Sequence, residues 1–227
     1  MLANLRSEFL LDPDIHYLNH GSFGACPKEV FEDYQNWQRI LERNPIDYFT
    51  RQLKGLFGKE ASGPLEKART ELAHFVNADA EGLIFTPNVT VALNAIAHSI
   101  QLEPHDEVLT TDHEYGTIMA SWARKCAQND AMLTKVAIDL PVTTQAEFVD
   151  YFWKQVTPRT KLILMSHITS ATALVLPVKE ICARARKAGI ITVIDGAHAV
   201  GQLAMDLEEI DADFYTSNCH KWLLTPK

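Results

Sequence analysis

The chain has 227 residues, 47% of them hydrophobic and 22% charged, the make-up of a folded protein with one sizeable core and not of a disordered one. Its 21 Lys and Arg stand against 29 Asp and Glu, a formal charge of −8; this repels a phosphate backbone or an anionic bilayer surface, so neither nucleic acid nor a membrane is an expected partner. Arg6 and Glu8 fall where a signal peptide needs apolar residues, and no run approaches the ~18 apolar residues of a membrane span, so the cytoplasm is the expected location.

In chain order, residues 27–76 read as amphipathic helices. PKEVFEDYQNWQRILERN carries one over 28–43, and GPLEKARTELAHFV a second over 64–76 that opens with Pro64 in its first turn. The domain reading is an N-terminal arm with helices over 1–63, followed by a large domain over 64–227. From residue 83 the pattern alternates. β-rich runs at LIFT (83–86), EVLTT (107–111), MLTKVAI (132–138), KLILMS (161–166), IITVID (190–195) and DFYTS (213–217) predict strands. Helical spacing lies between them at 89–100, 115–128, 145–156 and 178–188, the last closed by Gly189 as a C-cap. A β-α-β-α order predicts an α/β fold, a mostly parallel sheet with helices on both faces.

Ligands of such sheets bind beyond the carboxyl ends of the strands, which directs attention to the residues that follow each one. After LIFT comes Thr86-Pro87-Asn88-Val89-Thr90 and then a helix. Backbone N–H groups and the Thr90 hydroxyl at such a start can hold a phosphate; equally, Asn88 or Thr90 can simply cap the helix. Nucleotide motifs are absent: there is no G-x-G-x-x-G, and Gly55-Leu56-Phe57-Gly58-Lys59 lacks the spacing and the Ser or Thr of a P-loop. IITVID ends in Asp195, followed by Gly196-Ala197-His198. A carboxylate at the end of a hydrophobic strand is costly to desolvate, so it either faces a cation, such as a protonated pyridine nitrogen, or caps a turn or pairs with an arginine. Lys221 follows the last predicted strand in the apolar setting of Trp222, Leu223 and Leu224, where burial would favour a neutral, nucleophilic amine. A lysine, an acid and a phosphate-binding helix start on the strand ends of one sheet together point to pyridoxal phosphate. Cys26, Cys126, Cys182 and Cys219 show no C-x-x-C spacing, so neither a disulfide framework nor a metal site is expected.

Six short stretches together resemble the class V aminotransferase family, and within it the isopenicillin N epimerase-like branch. They are Tyr17-Leu18-Asn19-His20-Gly21-Ser22-Phe23-Gly24, Thr86-Pro87-Asn88-Val89-Thr90, Asp112-His113-Glu114-Tyr115, Ser166-His167-Ile168-Thr169-Ser170, Asp195-Gly196-Ala197-His198 and Ser217-Asn218-Cys219-His220-Lys221-Trp222. The resemblance implies a pyridoxal 5'-phosphate-dependent enzyme with the large domain of an aspartate aminotransferase-like fold. It further implies Lys221 as the Schiff-base lysine, Asp195 as the acid on the pyridine nitrogen and His113 as the ring stacked on the cofactor. Asn88, Val89 and Thr90, with Ser217 and His220, correspond to phosphate-binding groups. His198 occupies the place near the phenolic oxygen where cysteine desulfurases carry Gln, Ser170 belongs to the same cofactor set, and Asn19, His20 and Gly21 fall where substrate would be met.

Two departures stand out. Thr169-Ser170-Ala171-Thr172-Ala173 replaces the Pro and Gly that relatives show in a tight turn, and alanine has neither proline's fixed φ nor glycine's tolerance of φ > 0, which leaves the loop's geometry open. Family members also continue past their lysine with a further strand, a small C-terminal domain and an arginine that grips the substrate carboxylate, so these are expected to be missing from a chain that stops at Lys227. Three functions remain: an epimerase-like enzyme acting at the α-carbon of an amino acid or amino-acid-derived substrate, a cysteine desulfurase or carbon–sulfur lyase, and a non-catalytic cofactor-binding fragment. The resemblance also implies a homodimer.

Overall fold

Five of the β-rich runs form strands: β1 (Glu107–Thr111), β2 (Met132–Val136), β3 (Thr160–Ser166), β4 (Ile191–Asp195) and β5 (Phe214–Thr216). The computed structural model describes residues 5–52, 63–141 and 144–227; the P-loop comparison at Gly55–Lys59 lies outside the described residues. All four strand pairs are parallel, in the order β2-β1-β3-β4-β5. A parallel pair needs a crossover, and the helices Gly116–Gln128, Gln145–Trp153 and Val178–Ala188 supply the first three. The chain leaves β1 toward β2 and then crosses back to β3, so the winding reverses between β1 and β3, where a ligand crevice opens in sheets of this kind.

The chain divides into two compact units, Phe85–Asn218 and the combination of Met1–Ile84 with Cys219–Lys227. In the first, each face of the sheet carries its own core. On one face Leu109, Ile163, Met165 and Ile194 pack with Phe148 and Phe152 of the helix Gln145–Trp153 and with Ile181 and Ala185 of Val178–Ala188. On the other, Val108, Leu162, Leu164 and Val193 pack with Leu93 of Val89–Ser99 and with Ile118 and Trp122 of Gly116–Gln128. The strands are apolar on both sides because both sides are covered. The C-cap expected at Gly189 forms: its φ is 69° and its N–H reaches the Ala185 and Arg186 carbonyls.

The second unit holds the helices Lys28–Arg43 and Pro64–Val76, which coincide with the predicted spans. Asn77 closes the latter in the left-handed region. The predicted strand at 83–86 does not form. Its backbone is irregular, joins no ladder among the described residues, and leaves Ile84 81% exposed; a run of β-branched and aromatic residues becomes a strand only when a neighbour takes its hydrogen bonds. β2 ends two residues early, at Val136, because the Ile138 N–H is taken by Asp112 Oδ1 at 3.0 Å.

Candidate active site

Within the unit Phe85–Asn218, the carboxyl ends of β1, β3, β4 and β5 and the start of the helix Val89–Ser99 bring together most of the polar residues expected at the site. Asn88 caps that helix: its side chain accepts the Val91 N–H at 3.0 Å. Asn218, just past β5, accepts the Val89 N–H at 3.0 Å and ties the helix start to the sheet. The capping reading of Asn88 therefore holds. It leaves the Thr90 N–H without an acceptor among the described residues, at the positive end of the helix dipole. Ser217 donates its hydroxyl to the Gly196 carbonyl at 3.0 Å.

Asp195, the last residue of β4, is 6% exposed. One of its oxygens accepts the Ala197 N–H at 2.9 Å, and its carbonyl accepts the His167 N–H at 2.8 Å. The residue thus caps its own turn, as one of the sequence alternatives had it. Next to it, Gly196 is a glycine for steric reasons: a Cβ there would overlap the Tyr215 ring. Tyr215 Oη and His167 Nδ1 lie 2.8 Å apart. Burial pushes His167 down to about 4, and burial followed by the charge of Asp195 pushes the Tyr215 phenol up, so both rings are uncharged near neutral pH. His198 is half-buried, its carbonyl accepting from Gln202 Nε2 at 2.6 Å.

His113 follows β1. Its Nδ1 meets Thr172 Oγ1 at 2.9 Å, and Thr172 in turn meets Thr169 Oγ1 at 2.8 Å. The loop whose shape the sequence left open is a closed turn: the Ala173 N–H reaches the Thr169 carbonyl, the Thr169 N–H reaches the Leu174 carbonyl, and Ala173 takes φ 53°. Ser170 sits exposed in it. Glu114, beside His113, inserts its carboxyl between the Thr111 hydroxyl (2.7 Å) and the Ser166 hydroxyl (2.5 Å).

The other expected residues belong to the second unit and are described there. Lys221 and His220 lie on the four-residue helix Cys219–Trp222, and Lys221 is half-buried. Burial, then the neighbouring Lys221 and Lys227 charges, lower His220. The arm Asn19–Gly24 folds against this helix: the Gly24 N–H reaches the His220 carbonyl at 2.8 Å, and a Cβ on Gly24 would collide with the carbonyls of His220 and Lys221. His20 packs its ring 6.1 Å from that of Trp222 and accepts the Ala25 N–H at 3.3 Å. The Asn19 carbonyl takes the Ser22 N–H, and Gly21 lies within this turn.

Sequence reasoning gave no role to Glu114, Thr172, Asn218 or the His167–Tyr215 pair. Glu114, Asn218 and His167 sat inside the motifs, and a polar residue directly after a strand was the available signal; Thr172 had none, since a loop contact with His113 is invisible in one dimension.

Comparison with known proteins bears on the family and the fold. Isopenicillin N epimerases of Streptomyces clavuligerus and Amycolatopsis lactamdurans are 37% and 36% identical over 221 and 229 residues, which is 97% and 99% of this chain and 54% and 55% of theirs. The chain spans about half the length of the curated relatives it matches. A solved cystine C–S lyase in complex with its product cysteine persulfide superposes with a TM-score of 0.82 at 25% identity, over 92% of this chain and 54% of the other. The family model for class-V aminotransferases matches residues 25–227, nearly the whole chain, and on that match the chain belongs to the class-V aminotransferase family.

Proposed function

We propose that the chain is the cofactor-binding part of a pyridoxal phosphate-dependent enzyme that acts at the α-carbon of an amino acid or amino-acid-derived substrate, in the manner of its isopenicillin N epimerase relatives. The observation that carries this reading is the donor set on one sheet edge: a buried carboxylate at Asp195, an open helix N-terminus at Thr90 and an imidazole at His113. These groups fit pyridoxal phosphate, which needs an acid for its ring nitrogen, a flat ring on its face and N–H donors for its phosphate. When bound, the cofactor supplies an electron sink for negative charge at the substrate α-carbon.

The chain's own residues have distinct tasks. The Asp195 carboxylate, held by the Ala197 N–H, keeps a positive charge favourable where the ring nitrogen would sit. The Thr90 N–H and hydroxyl, with Ser217, are assigned to the phosphate, and His113, steadied by Thr172, to the ring face. Family membership and the motif around it support Lys221 as the covalent anchor and as the amine that moves the α-proton. The homodimer stays part of this proposal, supported by Val30, Phe31 and Tyr34 exposed along the helix Lys28–Arg43.

The likeness to the cystine C–S lyase supports a second reading, cleavage of a carbon–sulfur bond in a cysteine-type substrate. Borohydride reduction of the chain with pyridoxal phosphate, followed by peptide mapping, tests the first step. A pyridoxyl label on Lys221 is expected, and a label on Lys161 or Lys187 instead overturns the assignment. Exchange of the α-proton of isopenicillin N for solvent deuterium, compared with release of persulfide from cystine, then separates the two chemistries.

A further inference from the structure

Glu114 has no part in the proposed chemistry, yet it occupies the place where the winding of the sheet reverses. One carboxyl oxygen accepts from Thr111 at the end of β1, the other from Ser166 at the end of β3. The β3–β4 register sets Ser166 beside Asp195. The loop that contains Glu114 also carries His113, whose ring is held from the other side by Thr172. Two adjacent strand ends therefore meet at this one carboxyl, and the register sets Asp195 next to one of its two partners.

Resting on the cofactor reading above, we propose that Glu114 is a positioning residue of the cofactor cradle: clamped by the Thr111 and Ser166 hydroxyls across the ends of β1 and β3, it anchors the loop that presents His113 and stands as a second acid beside Asp195. Two carboxyls in one low-dielectric crevice do not both ionise cheaply. Burial, with a further contribution from the Asp195 charge, raises Glu114 to about 7, against the pull of the two hydroxyl hydrogen bonds. Asp195 on β4 is the charged group that acts on it; within its own loop the titratable neighbours are Asp112 and His113, which lie 3.8 Å apart. Glu114 thus takes up a proton more readily than an ordinary carboxyl does, which lessens the like charge facing Asp195. Either protonation state of Glu114 satisfies the clamp, because a hydroxyl both donates and accepts.

The test uses the 227-residue chain with 13C-labelled glutamate carboxyls, the Glu114 signal being assigned by its loss in Glu114→Gln. Without cofactor, Glu114 is expected to titrate near neutrality, to fall in Asp195→Asn and to rise in Ser166→Ala. With pyridoxal phosphate followed by absorbance, the wild-type spectrum is expected to change between pH 6 and 8; Glu114→Ala should weaken binding several-fold, whereas Glu114→Gln, which keeps both clamp contacts, should bind nearly as wild type does and show a spectrum that stays constant over that range. Titration of Glu114 in the ordinary carboxylate range, indifferent to Asp195→Asn, overturns the proposal and leaves the functional reading standing. Equal binding and equal pH profiles in wild type and both Glu114 variants overturn it as well, since a merely structural role would lower only the melting temperature. A chain that takes up no pyridoxal phosphate, while Glu114 still responds to Asp195→Asn, instead overturns the functional reading and with it the cradle role.

Discussion

Ala173 shows how one residue records a compromise between a loop's geometry and the sequence that fills it. The turn after β3 closes through the Thr169 and Leu174 backbone groups and holds Ala173 at φ 53°, a conformation that favours glycine. The left-handed region costs an L-residue about 1–2 kcal/mol, while a glycine loses roughly 0.5–1 kcal/mol more chain entropy on folding. Ala173→Gly is therefore expected to stabilise the chain by about 0.5–1 kcal/mol, read as a higher denaturant midpoint at unchanged slope. A lower midpoint would mean that the Thr169–Leu174 contacts determine the turn without strain at Ala173. The turn matters to the site because Thr172, one residue earlier, meets His113.

At the scale of elements, the sheet is pinned at its opposite end by a buried acid. Glu107, the first residue of β1, is 4% exposed and accepts hydroxyl hydrogen bonds from Thr134 of β2 (2.8 Å), Thr157 (3.2 Å) and Thr160 of β3 (2.5 Å). One carboxyl thus ties the start of β1 to the middle of β2 and the start of β3, and three hydroxyls find their acceptor on it in a region that excludes water. Glu107→Ala removes all three bonds and leaves a void; it should cost about 2–4 kcal/mol in chemical denaturation. Glu107→Gln keeps an acceptor and should cost less than half as much. Equal losses for the two variants would show that packing volume, and not the hydroxyl network, holds the strand starts together.

For the whole molecule, two buried groups near Asp195 act on stability in opposite directions. Glu114 is raised from 4.5 to about 7, so between these values the folded chain holds a proton that the unfolded chain has lost, and stability falls as pH rises through that window. His167 is lowered from 6.5 to about 4, so in that window the unfolded chain holds the extra proton, and stability rises with pH. Over the shared span from 4.5 to 6.5 the two slopes oppose each other. Glu114→Gln should therefore make stability climb more steeply with pH across that range than in wild type, and His167→Gln should make it decline; denaturant midpoints at several pH values read both. Parallel curves for all three proteins would place these side chains in water in the folded state. Among the described residues, no helix is long and apolar enough to cross a membrane.

The periodicity of the sequence was enough to determine the α/β class, all five strands to within two residues at each end, and the helices 28–43, 64–76 and 178–188 to the residue, because apolar spacing and caps such as Gly189 are local properties. The six motifs also carried the family, since strand-end residues keep their order along the chain. Tertiary structure alone decided the rest. The run at 83–86 has every local mark of a strand, yet strand formation depends on a hydrogen-bonding neighbour that sequence does not name. Glu114 reads as one more surface acid until β1 and β3 are placed side by side, for the clamp comes from Ser166, 52 residues away. His113 and Thr172 stand 59 residues apart, and only the closed turn at Ala173 brings their side chains within hydrogen-bonding distance.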